Sequence, residues 1–560
     1  MKTHFKSLAL LTLTAALVVP AVHAVPDPPG PAPKEAFLVP VKDNWEINPA
    51  KPGAPADLAE NLMLIGLQGL ANTDAPRVYI EYPEDWHFHD FNPLKDFYAT
   101  KYGVKFTRLA TPDAALTELG HFAKGYVVWD RKARTSINVA ITAAGVLRAL
   151  VVDESLIPLA EKHGLKPLAD FRGMFIGQTD VQIYQWAYDH YWKDCSRDYL
   201  VWMGGVGGNS MEPGVADLAI ACHAFVADLS ASPKMPEELA FHKRLLAQLN
   251  PSAWIMGWHP YPKDTEGQWI TLTSGYGLKA IGLNTFPNGT FMSQIGFSPG
   301  FKMTNNNHVT RHEVVQAEKK FYVCLVQSDS MGIGAWTQPE RGQIPYNWEV
   351  GVDGAKWYAG AMEMFAKDRT ANDYFIGGQS GYMYPAVVPA DRFPGLMKEM
   401  NALMPLMDEH TVGIMDHTDR GIPIGYFDLT KHVVDEYYAG APDAIGFING
   451  YAAAHTFDVR NGQAFMSYDY YLDEHRPVAS AIADLDELAR INPKRPYFML
   501  IHVRESNSIK RVISIMNGLE EKPEIVPLDT FLKLAASNPN FAPRYKDPKP
   551  AGKAWDATTQ

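Results

Sequence analysis

Short apolar runs alternate along this chain with segments whose apolar residues recur at helical spacing. In NLMLIGLQGLANTDAPRVYIEY, Leu62, Ile65, Leu67 and Leu70 share one helical face, Asn72-Thr73-Asp74 reads as a stop, and Arg77 to Tyr82 as a strand. The same grammar repeats in GYVVWD (strand), SINVAITAAGVLRALVV (helix into strand) and SLIPLAEKHGL (helix). Strands that alternate with helices imply parallel pairing with helices on the sheet faces. From about Gly173 the pattern loosens. YQWAYDHYWKD, AIACHAFVADL and PEELAFHKRLLAQL read as helices, and AWIMGWHP reads as a strand ending in aromatic residues. After GFSPGFKMTNNNHVT a second series begins, with strands KFYVCLVQSD, DYFIGG, TVGIMDH, AIGFINGY and YFMLIHVRE separated by helices, and PEIVPLDTFLKLA closes it. These near-continuous apolar strands suit burial on both faces. The fold class expected is therefore α/β: small amino-terminal α/β domains followed by a carboxyl-terminal (β/α) barrel, complete or partial.

Composition refines this picture. At 560 residues, 46% hydrophobic and 20% charged, the chain has material for several packed cores. Residues 1–24 read as a secretory signal, with Lys2 and Lys6 ahead of an apolar run and small residues at Val22-His23-Ala24. No other stretch reaches the roughly 18 apolar residues of a membrane span. The expected product is a soluble periplasmic or secreted protein. Its divisions are a Pro-rich leader (25–35), an α/β region of two or three small domains (36–310), a barrel-like domain (311–545) and a tail (546–560). Without Lys2 and Lys6, 49 basic residues face 63 acidic ones, a formal −14, which argues against nucleic acid or an anionic membrane as partner. Of three cysteines, Cys195, Cys222 and Cys324, the last sits in an apolar run and reads as a buried thiol; two could pair in an exported protein.

In parallel α/β architectures ligands bind beyond the carboxyl ends of the strands. In the second half those ends carry Ser328-Asp329, Gln379-Ser380-Gly381-Tyr382, Asp416-His417, Asn449, and His502, Arg504 and Glu505, with Asp469 as a further carboxylate. Paired carboxylates perform glycoside hydrolysis, one protonating the leaving oxygen and the other acting as base or nucleophile. Asp329, Asp416 and Glu505 are the catalytic candidates. Aromatic residues, 12% of the chain, supply flat faces for sugar rings. Trp258, Trp336, Tyr382 and Tyr384 are candidate platforms, with Gln379, Ser380, His417, Asn449, His502 and Arg504 as further substrate contacts, Arg504 suiting an acidic sugar. No HExxH or CxxC occurs, so no cofactor is expected; a divalent metal beside His417 or His502 is the minor alternative. The four-glycine segment MGGVGGN lacks phosphate-loop spacing and reads as a loop.

Gly381-Tyr382-Met383-Tyr384-Pro385 resembles the signature of the GxGYxYP putative glycoside hydrolase family, with Gln379 where the name has its first glycine. NLMLIGLQGLANTDAPRVYI and the stretch from WIMGW through Glu266 to SGYGLKAIGLN resemble the family's opening and middle regions. The resemblance implies an exported carbohydrate-active protein with small α/β domains ahead of a barrel-like catalytic domain, and it carries no catalytic assignment. Relatives are expected to end the first barrel strand Ser-Asp-Gly-Asp-Asn, whereas this chain reads Ser328-Asp329-Ser330-Met331-Gly332. The leading expectation is a glycoside hydrolase acting on a poly- or oligosaccharide. A polysaccharide lyase with Tyr or His as base and Arg neutralising a uronic acid, a non-catalytic glycan-binding protein, and a metal-dependent deacetylase are the alternatives.

Overall fold

The computed structural model describes residues 25, 29–42, 55–83, 92–204, 213–260, 262–282, 288–327, 336–378, 381–416, 418 and 427–546. Three small parallel sheets come first. β1 (Glu35–Pro40), β2 (Val78–Glu81) and β3 (Lys105–Arg108) form the order β2-β1-β3, and β4 (Gly125–Val128), β5 (Ala149–Val152) and β6 (Pro167–Asp170) the order β5-β4-β6. β7 (Tyr199–Met203), β8 (Phe225–Ala227), β9 (Trp254–Trp258) and β10 (Lys279–Ile281) follow in the order β10-β9-β7-β8. The helix Pro55–Ala71 buries the predicted face of Leu62, Ile65, Leu67 and Leu70. One expectation changes here. AIACHAFVADL is not a single helix: a helix ends at Ala221, His223 turns the chain with a φ of 53°, and the apolar FVA continues as β8, a buried strand at the edge of the sheet.

Buried polar contacts tie the first sheet region to the third. Gln68 Nε2 donates to Asn288 Oδ1 at 2.7 Å, and Asn72 Nδ2 to Thr290 Oγ1 at 3.1 Å, while Thr290 in turn donates to the buried Asp217 at 2.7 Å. Unsatisfied, these groups would each oppose folding, so their pairing fixes the packing geometry as well as contributing stability.

The carboxyl-terminal region contains β11 (Phe321–Gln327), β12 (Tyr346–Glu349), β13 (Asp373–Ile376), β14 (Thr411–Ile414), β15 (Gly446–Asn449), β16 (Asp458–Arg460), β17 (Gln463–Ser467), β18 (Tyr470–Leu472), β19 (Tyr497–Val503) and β20 (Glu524–Ile525). One sheet runs β13-β12-β11-β19-β18, the other β14-β15-β17-β16; pairing is parallel except between β16 and β17. Two junctions link them. Gly377, just past β13, pairs in parallel with Val412 of β14. Between β17 and β18, Tyr468 N–H bonds to Asn449 O at 3.1 Å and Asp469 N–H to Leu500 O at 2.8 Å, so one stretch of chain passes from one sheet to the other. The Asp469 carboxylate, named above as a further strand-end acid, accepts the Leu500 N–H at 2.8 Å and fastens that crossing.

All three cysteines are free and buried, and Cys324 lies fully inside β11 as expected. No described helix is long and apolar enough to cross a membrane.

Candidate functional site

A cleft of about 110 Å³ opens at the carboxyl ends of the second-half strands. Its walls include Glu349, the last residue of β12, Asp353 four residues on, and Tyr358, Tyr382, Tyr451 and Tyr468. Gly413 within β14 and residues beyond β13 and β15, among them Gly378 and Gly450, complete it. Chain direction explains this gathering, since parallel strands deliver all their carboxyl ends to one side.

Two acids here are held in unusual states. Asp353 is 6% exposed, and burial pushes its carboxyl up to about 7; Lys279 and Lys356 offset only part of that effect. Glu409 is 1% exposed, and neither carboxyl oxygen has a hydrogen-bond partner among the described residues. Burial, and after it the charges of Asp353 and Asp408, raise its pKa well above the carboxylate range. Burial likewise raises the Tyr358 hydroxyl, with Asp353, Tyr382 and Glu409 adding to it. These groups form one acidic, proton-retaining set beside the cleft.

The Gly381–Pro385 turn has a structural explanation. Tyr382 N–H and C=O pair with Ala280 of β10 at 2.6 and 3.1 Å, forming an antiparallel bridge to the third amino-terminal sheet. Gly381 has a φ of 77°, and an added Cβ would lie 2.9 Å from Lys279 Cβ and 3.0 Å from Trp254 Cζ3, so glycine is required twice over. Tyr384 is 1% exposed; its N–H donates to Ser274 Oγ at 2.9 Å and its hydroxyl faces Glu266 Oε1 at 3.5 Å.

The predicted residues divide accordingly. Asp329, Gln379, Ser380 and His417 lie outside the described residues. Tyr382 lines the cleft, and half-buried Trp258 packs edge-on against it with ring centroids 5.6 Å apart. Asp416 is buried with both oxygens engaged, accepting from Ala386 N–H at 2.7 Å and from Thr418 N–H and Oγ1 at 2.9 and 2.7 Å. It fastens the signature turn to the end of β14, and burial raises its pKa despite these bonds. Tyr384 belongs to the same buried support. Trp336 is a core residue at 5% exposure: its ring lies against Phe375 and Arg341, and its Nε1 donates to Asp368 at 2.9 Å, so neither face is open to a sugar. Asn449 is buried and donates to Phe427 O at 2.8 Å. His502 is fully buried, with Nδ1 on Tyr451 O and the rings of Tyr451, Tyr468 and Tyr471 around it. Arg504 donates to the Tyr451 hydroxyl and pairs with Glu505 at 2.8 Å, placing these two behind the cleft wall at Tyr451.

Sequence reasoning missed Glu349, Asp353 and Glu409. Glu349 ends YNWE, a strand too short and polar to stand out, but a Glu ahead of Val-Gly-Val-Asp-Gly was the available signal. Among the described residues no three His, Cys, Asp or Glu side chains gather as metal ligands.

Successive parallel α/β units, the last bearing an acid-lined, tyrosine-walled cleft at its strand ends, define a multidomain α/β protein with a recessed site. The chain belongs to the GxGYxYP family. Residues 39–121, 123–195 and 197–294 match its first, second and third amino-terminal domains, and residues 319–536 match the GxGYxYP putative glycoside hydrolase C-terminal domain. A solved structure described as a putative hydrolase from Bacteroides thetaiotaomicron VPI-5482 shares the fold at a TM-score of 0.71 and 18% identity, covering 92% of this chain and 99% of its own. No curated protein matches the chain.

Proposed function

We propose that this protein is an exported glycoside hydrolase that cleaves a poly- or oligosaccharide, with Asp353 as general acid and Glu349 as the partnering base or nucleophile. The observation that carries the reading is Asp353 itself, a cleft-lining carboxyl whose pKa of about 7 lets it keep a proton at neutral pH. A general acid with a pKa near working pH is what protonation of a glycosidic oxygen requires. Half-buried Glu349, on the same wall, supplies a second carboxylate. The tyrosines offer ring faces to the C–H faces of a sugar. Asp329, which lies outside the described residues, is a further acid to test. The parallel pairings within the two carboxyl-terminal sheets, the Gly377–Val412 bridge from β13 to β14 and the chain crossing from β17 to β18 support a barrel-like architecture, complete or partial. The secretory signal read in residues 1–24 supports export, and acid–base chemistry of this kind calls for no cofactor.

The test is a screen of the purified protein on neutral and uronic-acid polysaccharides, following reducing ends. Turnover that disappears in Asp353→Asn and Glu349→Gln, and that persists with chelator, is expected. Absence of any turnover, with glycan binding intact, would favour a binding protein instead.

One observation favours a second reading. The Arg504 guanidinium donates to the hydroxyl of Tyr451 at the cleft wall, setting a cation that could face a uronic carboxylate beside a tyrosine that could act as a lyase base. Release of an unsaturated, ultraviolet-absorbing product, lost in Tyr451→Phe, would establish that chemistry over hydrolysis.

A further inference from the structure

The cleft is not built by the carboxyl-terminal region alone. Ile281, the last residue of β10 in the third amino-terminal sheet, lines it together with Tyr382. Tyr382 reaches that position because its backbone is bonded in both directions to Ala280, one residue earlier on the same strand. Behind it stands Trp258 at the carboxyl end of the neighbouring β9, edge-on to the Tyr382 ring at 76°. The contact is locked on both flanks. On one, Gly381 allows the backbone to lie against Lys279 and Trp254, and buried Lys279 pairs with Glu399 at 2.6 Å. On the other, Tyr384 is sealed against Ser274 and Asp416 holds Ala386.

A turn serving only to join two domains would need no side chain in the cleft. This one delivers an aromatic ring and sets an apolar residue from the other domain beside it. A half-buried tyrosine flanked by an isoleucine suits the apolar face of a sugar ring. We propose that the third amino-terminal domain supplies a sugar-binding subsite of the cleft, in which Tyr382 and Ile281 receive a second sugar unit of the chain bound at the carboxylates, with Tyr384 as the positioning residue. The proposal rests on the glycan reading of the cleft and extends it from one ring to two.

Binding tests it without requiring turnover. Asp353→Asn protein would be titrated calorimetrically with mono-, di- and trisaccharides from each neutral glycan of the polysaccharide panel. Affinity should rise from mono- to disaccharide. Adding Tyr382→Ala should remove roughly tenfold of that rise, the scale of one aromatic contact, whereas Tyr382→Phe should keep it. Ile281→Ser should reduce the rise as well, and serves as the second probe should the alanine variant fold poorly. Tyr384→Ala should lower the disaccharide-to-monosaccharide affinity ratio while leaving that for the monosaccharide near its starting value, which general loosening of the fold would not do. A rise that survives both Tyr382→Ala and Ile281→Ser overturns the proposal, as does the absence of binding to every saccharide tested. Binding with the predicted ratios but no turnover by the unmodified protein would instead overturn the hydrolase reading and leave the subsite standing.

Discussion

Asp228 and Asp353 occupy comparable places, each beyond the carboxyl end of a parallel strand and each buried, yet their surroundings differ in kind. Asp228 follows β8 and is gripped by Arg134 at 2.7 Å, with Lys263 at 3.6 Å and the Tyr184 hydroxyl at 2.5 Å. Burial alone would raise its pKa, but Lys263 and Arg134 hold it well below the usual range, so it is ionised at any working pH. Lys263 extends the network to Asp180 at 2.6 Å and Glu238 at 3.2 Å. Asp353 has no comparable cationic grip and keeps its proton to about pH 7. The first arrangement closes on itself and joins the second and third sheet regions, leaving nothing to offer a ligand. The second leaves an acid with unspent proton affinity facing a cleft. Strand-end position alone therefore does not mark a reactive carboxylate; the balance of burial against counter-charge does.

The largest effect separating the two should come from Asp353→Asn. Removing a general acid is expected to lower kcat by about 10²- to 10⁴-fold on whichever glycan the screen identifies. The same substitution should make the protein more stable at pH 8. The folded-state pKa is raised from the ordinary 3.8 to about 7, so wild type loses stability as pH climbs through that window, and an amide has nothing to lose. Melting temperatures at pH 4 and pH 8 measure it: the variant should gain on wild type only at the higher pH. Loss of stability at both would return Asp353 to the structural class of Asp228.

Next in size is the pH profile. If Asp353 must be protonated, kcat/KM should fall about tenfold per unit once pH exceeds its pKa near 7, and Asp353→Glu should move that limb. A flat profile to pH 9 would mean that the proton comes from elsewhere.

How far the sequence exposed this contrast depended on the signal each element carried. The long apolar runs of β11 and β19 and the strand ends they predicted were plain, because strands buried on both faces need uninterrupted hydrophobic residues. β12 was invisible for the opposite reason: in YNWE, Asn347 donates to Leu325 O and accepts from Leu528 N–H, Trp348 donates to Asp373, and Glu349 enters the cleft. Asn347 and Trp348 are satisfied by partners far away in sequence, and no local pattern reveals that. The signature turn was recognised as unusual, but its bond to β10 joins residues about a hundred positions apart. The same holds for Asp416, whose three hydrogen bonds decide its role and lie outside the strand that announced it.

On the paired side, Asp228→Asn should cost about 3–5 kcal/mol in denaturant unfolding, since it removes the buried carboxylate that Arg134 and Lys263 both face. Turnover per folded molecule should be unchanged. A loss of turnover without a loss of stability would place this cluster in the chemistry and dissolve the distinction drawn here.

The smallest effect is expected at Glu409, and its smallness is informative. The carboxyl is as buried as that of Asp228 but has no hydrogen-bond partner among the described residues, and burial raises its pKa well above the carboxylate range, favouring the protonated form. Glu409→Gln replaces the protonated carboxyl that burial favours with an amide of nearly the same shape, so unfolding should change by less than about 1 kcal/mol below neutral pH, against several for Asp228→Asn. Raising the pH should then separate the two proteins. Because the folded pKa is raised, wild type is destabilised progressively with alkalinity, while the amide is not, and the variant should overtake it. Equal sensitivity at alkaline pH would show that Glu409 is already ionised and has found a counter-charge, which would put both carboxylates of this comparison on the same side.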